Sequence, residues 1–178
     1  MNFLEIEHQW LHVKIIKGET HSDEFKKTNP NTRIPVLVLN DGRTLTEYNA
    51  ILNFLADGSE LHPADRLLRV QVLQRQFFEQ YNHESYIATV RYINKYLGLP
   101  DERRTQFDEK QDGGHKALSV MKQRLAKADF LAKDALTIGD ISLYACTHVA
   151  HEGGFDIGSH ASIGKWIERI EQNSNYTA

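Results

Sequence analysis

The sequence predicts a small α/β unit followed by an all-α unit. Two observations carry this. Up to Asp57 the apolar residues come in short runs, with period two or no period, cut by turn residues such as Asn29-Pro30 and Asn40-Asp41-Gly42. Beyond Pro63 they recur at three- and four-residue spacing over long stretches, the mark of amphipathic helices. The change falls at Asp57-Gly58, which places the domains at residues 1–57 and 62–178 with a short linker between them. A chain of 178 residues has enough interior for a sizeable core.

In the first unit, Trp10 to Ile16 alternates, with Leu11, Val13 and Ile15 set against His12 and Lys14, and reads as a strand with one wet face. Ser22-Asp23 caps a short helix through Lys27, which Asn29-Pro30 ends. Ile34 to Leu39 is continuously apolar and reads as a strand buried on both faces. Asn40-Asp41-Gly42 is a hairpin signal, with Arg43 to Leu45 as the returning strand. Thr46 then caps a helix from Glu47 to Ala56, and Gly58 stands just past its end.

In the second unit, Val70, Leu73, Phe77 and Tyr81 form an apolar stripe on a helix expected from Asp65 to Tyr96 and stopped by Gly98-Leu99-Pro100. A second long helix turns Leu118, Met121 and Leu125 inward, and Gly113-Gly114 predicts a weak or bent point in it. Thr137-Ile138-Gly139-Asp140 has the pattern of a capping box, with Leu136 and Ile141 at the staple positions. The helix it opens, Ile138 to Ala150, is apolar around most of its circumference and belongs at the centre of the bundle. Ile163, Trp166, Ile167 and Ile170 mark a final helix.

Composition narrows the function. A net charge of -3 argues against a general nucleic-acid binder, which would show a basic excess. A mean hydropathy of -0.50, with no apolar run near ~18 residues, argues against a membrane span. Met1 to Glu7 carries two acids and no basic stretch, so no signal peptide is visible. The single cysteine, Cys146, excludes an internal disulfide framework and any CxxC site and points to the cytoplasm. Lying in the most apolar helix, it is expected to be inert, with a raised pKa. Of the nine histidines, His148 and His151 can share a helix face with Glu152 following, and His8 and His12 lie on one side of the expected strand. Neither group shows the HExxH order or a third ligand, so no metal is expected. Arg103-Arg104 is balanced by Asp101, Glu102 and Asp108 and reads as a solvated face. Phe77, Phe78, Tyr81, Tyr86, Tyr92 and Tyr96 have mostly core spacing, although some can line an apolar pocket.

Two places carry binding chemistry. Proline in Ile34-Pro35 removes a ladder donor at the start of an apolar strand. A cis bond there would turn the Ile34 N–H and C=O outward as a peptide-binding edge, whereas the dipeptide alone favours trans, since only ~5% of X-Pro bonds are cis. At Thr46-Glu47-Tyr48-Asn49 a helix N-terminus can hold a ligand carboxylate, and Glu47 beside it can hold an ammonium. Together they suit an α-amino acid group. The same acid also serves simply as a favourable charge in a first helical turn.

These features together resemble the glutathione transferase family, in its bacterial theta- or beta-like group. The matching stretches are Asn29-Pro30-Asn31-Thr32-Arg33-Ile34-Pro35-Val36-Leu37, then Asp41-Gly42-Arg43-Thr44-Leu45-Thr46-Glu47-Tyr48-Asn49-Ala50-Ile51, then Leu136-Thr137-Ile138-Gly139-Asp140-Ile141. Each is weak alone; the ordered set is specific and runs over nearly the whole chain. The resemblance implies a thioredoxin-like domain followed by an all-helical domain, and a homodimer. It also implies attack by a glutathione thiolate on a small apolar electrophile, with glutathione as co-substrate and no further cofactor. By position, Ile34 would form the backbone pair with the cysteinyl part of glutathione, with Pro35 cis. Glu47 would contact the γ-glutamyl group, assisted by the N–H of Tyr48, and Arg33 would meet the glycyl carboxylate. The helix carrying Phe78, Tyr81, His83 and Tyr86 would shape the electrophile pocket.

The chain departs from the family pattern twice. Serine usually stands where Tyr48 is; tyrosine keeps the backbone donor but carries its hydroxyl farther out. The family also opens with a strand and helix that bear the catalytic Ser, Tyr or Cys. Met1 to Ile6 resembles only the tail of that helix, so the first domain reads as truncated and no catalytic residue is identified. The absent strand would lie between the Trp10 and Val36 strands. The rival expectation is a non-catalytic, transferase-like binding or interaction module.

Overall fold

The computed structural model describes residues 1–177, and its contacts divide the chain after Asp57. In the first unit the regular elements are α1 (Asp23–Thr28), β1 (Leu37–Val38), β2 (Thr44–Leu45) and α2 (Tyr48–Ala56). Ser22 caps α1 as its sequence predicts, the hydroxyl oxygen accepting from Phe25 N at 3.1 Å. The hairpin is also as expected: β1 and β2 pair antiparallel with Leu37 opposite Leu45. Gly42, at φ +86°, takes the left-handed turn that a residue with a Cβ resists.

Three local expectations fail here. Residues 10–14 form no ladder and Ile15–Lys17 is a 3-10 turn, with Trp10 77% exposed. Alternation is a pattern that a strand can use, but without a neighbour to bond it leaves the chain irregular. The apolar run at 34–39 shrinks to the two residues of β1, and Val38 is 56% exposed, so the run is not buried on both faces. Finally, α2 begins at Tyr48 with Glu47, not Thr46, at the cap position.

The second unit is built from α3 (Arg66–Phe78), α4 (Ser85–Arg91), α5 (Asp101–Leu125), α6 (Ile138–Thr147) and α7 (Ala161–Glu171). Asp65 caps α3 by accepting from Leu68 N at 2.8 Å. A π-helical stretch, Glu79–Glu84, joins α3 to α4, and a second, Tyr92–Tyr96, follows α4, so the long helix expected from 65 to 96 is continuous but twice widened. Its buried face is not the expected stripe. Val72, Gln76, Glu79, His83, Ile87, Val90 and Ile93 are buried, whereas Val70, Phe77 and Tyr81 are exposed. The apolar stripe faces outward, and three polar side chains face in.

Gly113-Gly114 does not interrupt the helix: α5 runs unbroken across both. The glycines instead admit neighbours. A Cβ on Gly113 would fall 2.1 Å from Tyr86 Cδ1, and one on Gly114 would fall 2.3 Å from Phe155 Cζ. The capping box forms at the start of α6. Its Asp140 does more than cap: Oδ1 also accepts from Leu131 N at 2.8 Å and from Trp166 Nε1 at 3.1 Å, tying the preceding loop and α7 to one buried carboxylate. Ile163, Trp166 and Ile170 of α7 are buried as their spacing predicts. Among the described residues no helix is long and apolar enough to cross a membrane.

Candidate functional site

The loop at 29–35 is organised by one buried side chain. Asn29 is 3% exposed; its Nδ2 donates to Arg33 O at 2.7 Å and its Oδ1 accepts from Asn31 N at 3.0 Å. Thr32 N closes back on Asn29 O at 2.9 Å. The loop delivers Ile34-Pro35 in the cis form with Ile34 42% exposed, and Pro35 is exposed as well. Arg33 is exposed and, with Ile34, lines a cleft of about 330 Å³ together with Thr20, His21 and Asn31.

Glu47 approaches from the other side. It is exposed, and its Oε1 accepts from Asn31 Nδ2 at 3.4 Å. Its backbone sits at φ 64°, ψ 103°, a conformation that residues with a Cβ rarely adopt. Tyr48 opens α2 and is half-buried, and the first bond of the helix runs from Ile51 N to Glu47 O at 3.0 Å. Asn31 thus stands between two of the places the sequence singled out: it shares a cleft with Arg33 and Ile34, and it bonds Glu47. Asn31 and His21 were not legible as site residues, because a lone polar residue acquires a role only from what the fold sets opposite it.

In the second unit Phe78 and Tyr86 line a cleft of about 330 Å³ with Asn82, Lys116 and Val120. The other two side chains expected there do not join them: Tyr81 is 75% exposed, and His83 is fully buried. His83 Nε2 lies 2.9 Å from Thr147 Oγ1, and burial pushes its pKa down to about 4. Glu79, one turn away, is fully buried; loss of water pushes its carboxyl up to about 8, with the neighbouring Glu84 charge adding to the rise. Gln80 Nε2 donates to both carboxylates at 3.0 Å. Burial likewise pushes the Cys146 thiol up to about 12, in line with an unreactive cysteine.

Two of the four histidines weighed as metal ligands, His148 and His8, have partners within the protein. His148 Nδ1 lies 2.8 Å from Tyr144 O and its ring stacks on Tyr144, while His8 Nδ1 lies 2.9 Å from Ile6 O. Glu152 is bound by Lys95 and Arg91, whose hydrogen bonds hold its carboxyl down at about 2. Among the described residues no three His, Cys, Asp or Glu side chains stand close enough to share an ion.

Comparison with known proteins decides the family. Residues 1–57 match the model for the glutathione S-transferase N-terminal domain, and residues 76–173 match that for the C-terminal domain. The chain belongs to the glutathione S-transferase family. Its structure has the family's architecture, a small thioredoxin-like domain with a two-stranded sheet and then a helical domain. The crystal structure of a glutathione S-transferase from Pseudomonas fluorescens Pf-5 is 47% identical, with a TM-score of 0.97 over 99% of this chain and 88% of that one. Glutathione S-transferase 2 of Anopheles gambiae is 29% identical over 161 residues, covering 87% of this chain and 74% of the mosquito protein. A glutathione transferase from Phanerochaete chrysosporium, solved with oxidized glutathione, is similar in fold (20% identical, TM-score 0.83, covering 98% of this chain and 83% of that chain).

Proposed function

We propose that this family member binds glutathione in the first unit and conjugates its thiolate to a small apolar electrophile. The observation that carries the proposal is the Asn31–Glu47 contact, which sets an acid beside the loop bearing Ile34-Pro35. In this reading the backbone of the exposed Ile34 pairs with the cysteinyl residue. Glu47 holds the γ-glutamyl ammonium while the N–H of Tyr48 meets the adjoining carboxylate at the positive end of α2. Arg33 holds the glycyl carboxylate, with His21 lining the same cleft.

In the reaction the sulfur lone pair attacks the electrophilic carbon, a C–S bond forms, and a leaving group such as halide departs with the bonding electrons. The residues named here bind and orient the peptide; none is assigned to the thiol itself. Within the helical unit, the cleft at Phe78 and Tyr86 has mainly apolar walls, which suit a small apolar molecule.

The exposed apolar side chains Leu67, Val70, Phe77 and Tyr81, recurring along one helix, support a homodimer, since exposed apolar surface of this kind is characteristic of association sites. A lone cysteine supports a cytoplasmic location. Retention on glutathione-agarose followed by turnover of an aryl halide tests the activity. Retention with turnover is expected. Retention without turnover leaves a binding module, and failure to be retained overturns the site.

A further inference from the structure

We propose that Asn31 is a positioning residue for Glu47 and that the pair selects the primary ammonium of the γ-glutamyl group. The inference rests on the glutathione reading above and assigns one corner of the tripeptide to two side chains. Three bonds to Asn29 fix the backbone around Asn31, so its amide is delivered to Glu47 by the loop. Thr32, at φ 56°, and Glu47, at φ 64°, are two of the four non-glycine residues at positive φ among those described, and the Asn31–Glu47 bond joins their two segments. Such conformations persist where surrounding bonds over-determine them and cluster at ligand clamps.

The chemistry of the donor matters. The Asn31 amide takes one lone pair of Glu47 Oε1 and orients the carboxylate without neutralising it, as a lysine or arginine in its place would. Glu47 Oε2 and Asn31 Oδ1 make no hydrogen bond among the described residues, so two oxygens, one charged and one neutral, remain for a ligand. A primary ammonium presents three donors and one positive charge. That is the chemistry this corner fits. A ligand lacking the amino group leaves the carboxylate uncompensated.

The test compares glutathione with its des-amino analogue by isothermal titration calorimetry. The proteins are the unmodified chain, Asn31→Ala, Glu47→Gln and the double variant. Asn31→Ala is expected to weaken glutathione about three- to tenfold, leave the analogue unchanged, and add nothing in the Glu47→Gln background. In the ligand-free protein, Glu47→Gln is expected to move the NMR signals of the Asn31 side-chain amide, which reports the contact without ligand. Equal weakening toward both ligands means a merely structural loop residue and overturns the proposal, as does an Asn31 amide indifferent to Glu47. Undiminished glutathione binding by Asn31→Ala overturns this inference alone. Absence of glutathione binding by the unmodified chain overturns the site reading and this inference with it.

Discussion

The ring of Phe155 occupies the space that a side chain on Gly114 would need: a methyl there would fall 2.3 Å from Phe155 Cζ and 2.5 Å from Cε1. Phe155 is fully buried, so it has nowhere to move. Gly114→Ala is expected to destabilise the protein by ~1–3 kcal/mol, even though alanine is the better helix former. Gly113→Ala also meets a ring, that of Tyr86, but Tyr86 is partly exposed and can swing outward, so its cost is expected to be smaller. Urea denaturation of the two variants checks the order. A Gly114→Ala protein as stable as the parent would contradict the packing described.

Asp140 accepts from Leu131 N, Thr137 N, Thr137 Oγ1 and Trp166 Nε1 at 2.7–3.1 Å, and burial raises its carboxyl pKa. Asp140→Ala orphans several buried donors at once and is expected to lower stability by more than ~3 kcal/mol. Asp140→Asn keeps one acceptor oxygen but turns an NH₂ toward some of these donors, so its loss should be intermediate. Thermal melts of both variants, followed by circular dichroism, measure the difference. Equal stability of Asp140→Ala and the parent would show that the box and its ties to the loop and α7 do not hold this end of α6.

Much of the fold was legible because its signals are local. The Asn40-Asp41-Gly42 turn, the Ser22 cap and the Thr137–Asp140 box are each closed by bonds within a few residues of themselves. What failed depended on partners elsewhere in the chain. The alternation at residues 10–16 found no strand to pair with, and the stripe through Phe77 and Tyr81 faces outward because Gln76, Glu79 and His83 fill the inner face. Hydrophobic periodicity assumes that the apolar side turns in. Here α6 offers Thr147 to His83, and the wider turn at Glu79–Glu84 shifts the register by which a face is counted. The candidate site divides in the same way. Glu47 and Ile34-Pro35 stood out as local patterns, whereas Asn31 and His21 took meaning only from the folded loop.

Glu79 and His83 give the helical unit opposed pH dependences. Glu79 holds its proton to about pH 8 when folded, against an ordinary value near 4.5, so its contribution is full below 4.5 and is lost as pH rises through 8. His83 is held neutral down to about pH 4, against 6.5, so its contribution is present above 6.5 and is lost as pH falls through 4. Between 4.5 and 6.5 the two slopes offset each other; from 6.5 to 8 only the loss from Glu79 remains, and it is on the order of a few kcal/mol. Glu79→Gln is therefore expected to flatten the decline above pH 6.5, seen as a smaller drop in urea midpoint between pH 6.5 and 8. His83→Gln should instead extend the slope downward to pH 4.5. A parent protein whose stability rises from pH 6.5 to 8 would contradict the burial of Glu79.

The most direct measurement is a calorimetric titration of glutathione into the unmodified protein and into Glu47→Ala. One saturating site per chain is expected for the first, with affinity reduced at least about tenfold in the second, because the ammonium loses its only charged partner in this reading. An unmodified protein that takes up no glutathione, or a Glu47→Ala protein that binds it equally well, would contradict the placement of the tripeptide between the Ile34 edge and the start of α2.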